Sequence, residues 1–285
     1  MGSRTRLRRL RRLRVLLFSL ALASIAGWWL SGGRWFDVAT PSMGSAAPVG
    51  SLLLTRPLGT DELRLGQVIA FRPHPGSQIY SHRIAHVGPG GAITTWGDNN
   101  PKPDPWTIHR SDVVGRVVSI WRGVGWLMRM MPVLMIGTVA AVLATRTMPD
   151  EMRSPVRAVA FAGVLCAAIL IYRPLVRTQV VMQVPERHGI ATTVVSTGLL
   201  PIRLSAPDSH PVELGVGEIG TIRTTSSGHG ATIVVARART TWLALCWLLG
   251  LAVLPTAVYG LRRGERPARS PLDRIPARLL VPRVP

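Results

Sequence analysis

The sequence predicts a multi-pass membrane protein with two mainly β domains outside the membrane. Three observations support this fold class. Of the 285 residues, 47% are hydrophobic, and they concentrate in four blocks that approach the length of a bilayer span. Arginines cluster beside those blocks. The two long segments between the blocks contain short runs of branched and aromatic residues separated by Gly and Pro, which is the pattern of β-strands.

The four apolar blocks are predicted to be transmembrane helices, because each approaches the ~20 residues that a bilayer requires. They cover residues 15–30, 124–145, 158–172 and 241–261. The first block follows seven arginines in residues 1–14, and tryptophans occupy positions where a cleavable signal peptide has small residues. We therefore predict that this block is an uncleaved anchor. Arg129, inside the second block, is expected to extend its guanidinium toward the outer membrane surface.

The distribution of positive charge predicts the orientation. The N-terminus (1–14), the loop 146–157 and the tail 262–285 together carry 17 arginines, whereas the segments 31–123 and 173–240 carry 16 basic residues over three times the length. By the positive-inside rule, both termini are cytoplasmic and the two long segments are extracytoplasmic, in the cell membrane. The net charge of +20 then serves orientation and contact with anionic lipid, so no nucleic-acid partner is expected.

Both long segments are predicted to be mainly β. In the segment 31–123 we expect strands at 51–55, 67–71, 79–87, 92–96 and 113–120. The segment 173–240 is predicted to form a small β-sandwich, with strands at 178–184, 190–195, 212–222 and 231–236. The two cysteines, Cys166 and Cys246, fall in the third and fourth apolar blocks. Neither β domain can therefore contain a disulfide of its own, and both depend on packing.

Ser42 lies about a dozen residues beyond the first block and is a candidate nucleophile. A serine hydroxyl needs a neighbouring base to react, normally histidine or lysine. The only lysine, Lys102, lies between two prolines in a turn that is expected to be solvated, which disfavours a serine–lysine pair. Histidine is therefore the predicted base, with Asp98 and Asp104 as candidate orienting acids.

His82 and His86 are the two candidate bases, because they lie four residues apart in one predicted strand and are expected on the same face. His74 and His109 fall in predicted loops. The spacing alone does not separate His82 from His86, and two histidines on one strand face are also compatible with metal binding. A zinc site needs further ligands, and the sequence offers no nearby Cys and no HExxH pattern, so no metal or other cofactor is predicted.

Six short motifs occur in the order that is typical of type I signal peptidases. They are Pro41-Ser42-Met43, Gly50-Ser51-Leu52-Leu53-Leu54, Gly66-Gln67-Val68-Ile69-Ala70-Phe71, Ser81-His82-Arg83-Ile84, Thr95-Trp96-Gly97-Asp98-Asn99-Asn100-Pro101 with Asp104, and Gly115-Arg116-Val117-Val118. Over about residues 15–131 the chain resembles this family, in the branch that uses histidine instead of lysine. The rest of the chain, including the second predicted β domain, lies outside the resemblance.

The resemblance implies a membrane-bound serine endopeptidase that removes signal peptides from secreted preproteins through an acyl-enzyme. Ser42 matches the nucleophile and His82 the general base, while the Thr40 hydroxyl and the Ser42 backbone N–H match the oxyanion hole. Asp104 is the better match to the acid that orients histidine, with Asp98 in a supporting role. The expected partners are preproteins and the lipid bilayer, with no cofactor. An accessory membrane subunit is left open.

Two alternatives accompany this interpretation. The chain is also compatible with a non-catalytic membrane protein that keeps a peptidase-like fold and binds or assembles secreted partners. A further alternative is a peptidase dedicated to a few substrates that the segment 173–240 selects, because a minimal signal peptidase does not need such a domain.

Overall fold

The computed structural model of the chain describes residues 2–59, 63–186, 189–206, 209–225 and 235–238. Residues 2–132 and 168–238 belong to one compact unit, and residues 133–167 belong to another. The predicted fourth transmembrane helix at 241–261, the tail 262–285 and Cys246 lie outside the described residues.

Within the part of the chain that the structure describes, three helices are long and apolar enough to cross a membrane, in agreement with the first three predicted blocks. They are α1 (Gly2–Leu30), α2 (Val124–Ala144) and α3 (Asp150–Tyr172). The prediction was wrong about the start of α3, because most of the predicted loop 146–157 is helical. Asp150 and Glu151 occupy the first turn of α3, where their carboxylates interact favourably with the helix dipole.

The segment between α1 and α2 forms a seven-stranded antiparallel sheet, which we call the seven-stranded domain. Its strands are β1 (Arg34–Asp37), β2 (Leu52–Arg56), β3 (Val68–Phe71), β4 (Tyr80–Val87), β5 (Ile93–Trp96), β6 (Thr107–Ile108) and β7 (Val113–Trp121). They lie in the order β1-β2-β7-β3-β4-β5-β6. The five predicted strands are present with bounds that shift by one residue at most. The sequence pattern missed β1 and β6, which are too short to show alternation.

Two buried clusters cover the central strands of this sheet. One contains Ile69 and Phe71 of β3 with Ile84, Ile93 and Ile108. The other contains Val38, Met43, Ala47 and Leu53. Met43 is the residue directly after Ser42, and only 1% of its surface is exposed. Because a fully buried Met side chain gains about 1.5–3 kcal/mol, this packing fixes the turn that carries Ser42 to the core.

The second predicted β domain contains two three-stranded sheets, and we call it the six-stranded domain. Its strands are β8 (Thr178–Glu186), β9 (Gly189–Ser196), β10 (Ile202–Ser205), β11 (Val212–Leu214), β12 (Ile219–Thr225) and β13 (Val235–Ala238). The sheets have the orders β12-β9-β8 and β11-β10-β13. One buried cluster draws side chains from both sheets, namely Val194, Ile202, Leu204, Leu214 and Ile222.

The strand predictions for this domain need two corrections. The predicted strand 212–222 is two strands, because a turn between β11 and β12 carries Gly217 at φ +82° and a hydrogen bond from Glu218 N–H to the Gly215 carbonyl. Strand β10 was not predicted, since its four residues follow directly after Pro201. Of the predicted strand 231–236, residues 231–234 lie outside the described part of the chain.

The turn at Gly217 lies against the seven-stranded domain. A Cβ atom at Gly217 would lie 2.5 Å from the carbonyl oxygen of Gly44 and 2.9 Å from the backbone nitrogen of Ser45. Gly217 also has a positive φ, which side chains rarely adopt. The close approach of the two backbones therefore requires glycine at position 217. The backbone that it approaches, at Gly44, lies two residues along the chain from Ser42.

We predict that Gly217→Ala destabilises the protein more than Gly76→Ala does. Both glycines have a positive φ near 80°, so alanine at either position costs about 1–2 kcal/mol of left-handed strain. A Cβ at Gly76 meets nothing within 4 Å, whereas one at Gly217 collides with backbone. The collision should add about 1–3 kcal/mol. Thermal unfolding of both variants in detergent measures the difference, and equal midpoints would contradict the close contact.

Candidate active site

Ser42 lies in a short turn whose shape follows from its neighbours. Thr40 is extended, with φ −119° and ψ 153°, and a 3₁₀ helix then runs over Pro41–Met43. Proline suits the first position of a helix, because its missing N–H has no partner there anyway. Gly44 ends the helix at φ 55°, and its N–H bonds to the Pro41 carbonyl. The buried Met43 side chain holds the turn from below, which leaves Ser42 half-buried at the surface.

The structure brings three of the predicted site residues into one hydrogen-bonded row. Ser42 Oγ lies 2.9 Å from Nε2 of His82, and Nδ1 of His82 lies 2.5 Å from Oδ2 of Asp104. His82 is on β4 and Asp104 lies between β5 and β6, and both side chains are buried. A carboxylate beside Nδ1 favours the proton on that nitrogen, so Nε2 is left to accept a proton from the Ser42 hydroxyl.

Two further side chains hold the carboxylate of Asp104. The Thr95 hydroxyl donates to Oδ2 over 2.6 Å, and Nδ2 of Asn100 lies 3.4 Å from Oδ1. The backbone N–H of Asp104 also donates to the Thr95 carbonyl. No role was predicted for these two residues, although one signal was available. Thr95 shares the inward face of β5 with Ile93, and a buried threonine needs a polar partner.

Asp98, the other predicted acid, pairs with a different residue. Its two carboxylate oxygens accept hydrogen bonds from Nε and Nη2 of Arg83 at 3.0 and 2.8 Å. Nη1 of Arg83 donates to the Gly66 carbonyl. The hydrogen bond to Asp98 raises the pKa of the Arg83 guanidinium, partial burial opposes the rise, and the charge of Asp98 adds to it. Arg83 therefore stays charged, and Asp98 anchors a loop instead of contacting His82.

Thr40, predicted for the oxyanion hole, lies next to Ser42. Its hydroxyl is exposed and lies 3.4 Å from Ser42 Oγ. The Ser42 N–H belongs to the first turn of the 3₁₀ helix, where backbone N–H groups have no partner within the helix. Two donors are thus available within two residues of the reactive oxygen, as an oxyanion hole requires.

Among the described residues, no candidate base other than His82 forms a hydrogen bond with Ser42. His86 is exposed, and a β-bulge between Ile84 and His86 interrupts the alternation, so the expectation that His82 and His86 share one face was not justified. His74, His109 and Lys102 are exposed in loops. Among the described residues, no group of three or more His, Cys, Asp or Glu side chains is placed to hold a metal ion.

Asn99 is a positioning residue that the sequence analysis did not single out. Its backbone N–H donates to the Ser42 carbonyl over 2.7 Å. Its side-chain Nδ2 donates to the carbonyls of Pro41 at 3.0 Å and Gly217 at 3.2 Å. The loop that contains Asp98 and Asn99 therefore holds the turn of Ser42, and the same amide joins that turn to the six-stranded domain.

A cleft leads to Ser42 between the end of β1 and the start of β4. It is lined by Asp37, Val38, Ala39, Thr40, Ser42, Met43, Gln78, Ile79, Tyr80, Ser81 and His82. Strand β5 pairs with β4 only from Arg83 onward, so it does not cover the start of β4. Within the described part of the chain, the N–H and C=O of Ala39 have no hydrogen-bond partner. Such open backbone groups can pair with an extended peptide.

Comparison with known proteins assigns no family to the chain. The chain matches no protein-family model and no curated protein. Its function is therefore inferred from the residues of the site and from the resemblance of its ordered motifs.

We predict that Asp104→Asn lowers the reactivity of Ser42 and that Asp98→Asn does not. Loss of the Asp104 carboxylate removes the preference for the reactive tautomer of His82, and the expected loss is about 10³- to 10⁴-fold. Asp98→Asn breaks only a partly exposed ion pair and should change the rate less than about 5-fold. The rate of labelling by a small fluorophosphonate, with Ser42→Ala as the blank, measures both. Equal losses in the two variants would contradict the assignment of Asp104.

Proposed function

We propose that the protein is a membrane-bound serine endopeptidase that removes signal peptides from secreted preproteins. The observation that supports this most is the hydrogen-bonded row Ser42–His82–Asp104, with Ser42 Oγ 2.9 Å from His82 Nε2. A free serine hydroxyl is a weak nucleophile, and a histidine oriented by a buried carboxylate is a standard way to activate it. The three residues are those that match the signal-peptidase motifs.

The proposed reaction passes through an acyl-enzyme. His82 Nε2 takes the proton of Ser42 as Oγ attacks the scissile carbonyl, and the imidazolium then gives that proton to the leaving amine. Water, deprotonated by His82, next attacks the ester. The imidazolium returns that proton to Ser42 Oγ as the ester bond breaks and the carboxylate product leaves. Asp104 stabilises the imidazolium through the contact with Nδ1 of His82, and Thr95 supports that carboxylate through a 2.6 Å hydrogen bond. No step needs a cofactor.

The oxyanion would be stabilised by the Thr40 hydroxyl and the Ser42 N–H. Thr40 Oγ1 lies 3.4 Å from Ser42 Oγ in the free protein, which is longer than a strong hydrogen bond. Such contacts often tighten only when substrate binds. A donor that binds the oxyanion only as its charge develops lowers the reaction barrier without stabilising the bound substrate.

The cleft and the helices support a substrate class. Among the described residues, the backbone of Ala39 is unpaired and the start of β4 is uncovered, which favours an extended polypeptide bound by main-chain hydrogen bonds. Ser42 follows the apolar helix α1 by about a dozen residues. A secretory signal has an apolar segment followed shortly by its cleavage site, so enzyme and substrate would share this spacing. The charge pattern supports an extracytoplasmic active site with both termini in the cytoplasm.

We predict that membranes containing the native chain cleave a signal-bearing preprotein and that membranes containing Ser42→Ala do not. Ser45→Ala is the matched control, because Ser45 is exposed three residues further along and uses only its carbonyl, as acceptor for Arg122. Cleavage by the native chain and by Ser45→Ala, with none by Ser42→Ala, supports the proposal. Equal behaviour of all three chains, with expression and insertion checked, would contradict catalysis by Ser42. Absence of cleavage across several preproteins would favour the non-catalytic binding role.

We predict that Thr40→Val lowers kcat for preprotein cleavage by about 10²- to 10³-fold, the usual cost of removing one oxyanion donor. Thr40→Ser keeps the hydroxyl and should stay within about 5-fold of the native chain. Thr40 is exposed, so neither substitution should change stability much. If the two variants lose the same activity, the hydroxyl of residue 40 is not a donor in the transition state.

A further inference from the structure

A second pocket beside Ser42 has walls from both β domains. The seven-stranded domain contributes Thr40, Pro41, Ser42, Asn99 and Asn100. The six-stranded domain contributes Val181 of β8, Val195 of β9 and Ile219 of β12. This pocket differs from the cleft between β1 and β4, and it involves a part of the chain that lies outside the signal-peptidase resemblance. The three branched aliphatic side chains of the pocket thus all come from the six-stranded domain.

The backbone of β8 is adapted at the residue that enters this wall. Val180 pairs with Val194 and Met182 pairs with Thr193, so Val181 has no partner in the register and forms a β-bulge. Bulges redirect a side chain relative to its neighbours and are common beside active sites. Val195, in contrast, is fully buried and forms the base of the wall, while Ile219 is 38% exposed.

The wall is held at a fixed place relative to the nucleophile. Ile219 follows Gly217 by two residues, and the Gly217 carbonyl accepts the same Asn99 amide that bonds to the Pro41 carbonyl. The Gly217 backbone also lies directly against Gly44, at a distance that excludes a side chain. Movement of the Gly217 turn would therefore break contacts on both sides of Ser42.

We infer that the six-stranded domain forms a substrate subsite that binds an apolar side chain of the polypeptide, close to the cleaved bond. This inference rests on the proposed peptidase function. A polypeptide attacked by Ser42 must pass within reach of a pocket that Ser42 and Thr40 themselves line. The eight lining residues are all uncharged, and three are aliphatic, so an apolar side chain gains from burial there and a charged one loses its hydration.

Val181 is the residue through which the subsite can be tested. Val181 lines the pocket and its neighbour Val180 does not, although the two are almost equally exposed, at 52% and 53%. The substitutions Val181→Ser and Val180→Ser are thus matched in chemistry, strand and exposure. Loss of apolar contact with one substrate residue typically changes discrimination by about 10-fold or more.

The experiment uses the full chain in membranes and several sets of preproteins, one set for each position flanking the cleaved bond. Within a set, the residue at that position is Leu, Ala or Asp. For the position that occupies the subsite, Val181→Ser should lower kcat/KM about 10-fold for the Leu substrate and less than about 2-fold for the Ala substrate. Val180→Ser should retain the native preference for Leu over Asp. If Val181→Ser and Val180→Ser show the same preferences at every position tested, the subsite is refuted.

Fluorophosphonate labelling of Ser42 separates this result from failure of the peptidase proposal. The small probe reports whether Ser42 is activated and carries no substrate side chain, so the native chain and Val180→Ser should label at the same rate whether or not the subsite exists. Normal labelling and native cleavage with unchanged preferences overturn the subsite alone. Absence of both labelling and Ser42-dependent cleavage in the native chain overturns the peptidase proposal, and the subsite with it.

Discussion

The buried carboxylate of Asp104 is the constraint on which the site depends. An ionised group inside a protein is stable only where hydrogen bonds replace its water, and an unpaired one costs several kcal/mol. Here His82, Thr95 and Asn100 supply those bonds from β4, from β5 and from the loop after β5. The strand order that puts β4 beside β5 is therefore also what aligns the histidine with Ser42. The contacts that stabilise the buried carboxylate therefore also hold His82 beside Ser42.

Much of the seven-stranded domain and of the site could be predicted because the signals are local. Five strands showed runs of branched residues, and Ser42 and His82 stood in short ordered motifs. The choice between Asp98 and Asp104 could not be made from spacing, because both follow β5 within a few residues. Only the path of the loop, with Asp98 turned toward Arg83, separates the two roles.

The failures of the sequence analysis also have physical causes. A bulge near His86 changed the strand alternation, and bulges leave no clear pattern in a single sequence. The start of α3 was placed too late because charged residues at a helix N-terminus resemble a loop, although Asp150 and Glu151 favour that helix end. For Arg129 the sequence indicated no protein partner, because its partners are distant in the chain: it pairs with Asp37, donates to the Val38 carbonyl and lies over the Trp126 ring at 4.7 Å.

Both ends of the seven-stranded domain continue into apolar helices through very short links. Helix α1 ends at Leu30 and β1 begins at Arg34, while β7 ends at Trp121 and α2 begins at Val124. Links this short allow the helices little tilting relative to the sheet, and the ion pair between Arg129 of α2 and Asp37 of β1 restricts the tilting of α2 further. With apolar helices joined this closely to both of its ends, the sheet is confined to a narrow layer beside any membrane that those helices cross. Ser42, about a dozen residues beyond α1, stays within that layer.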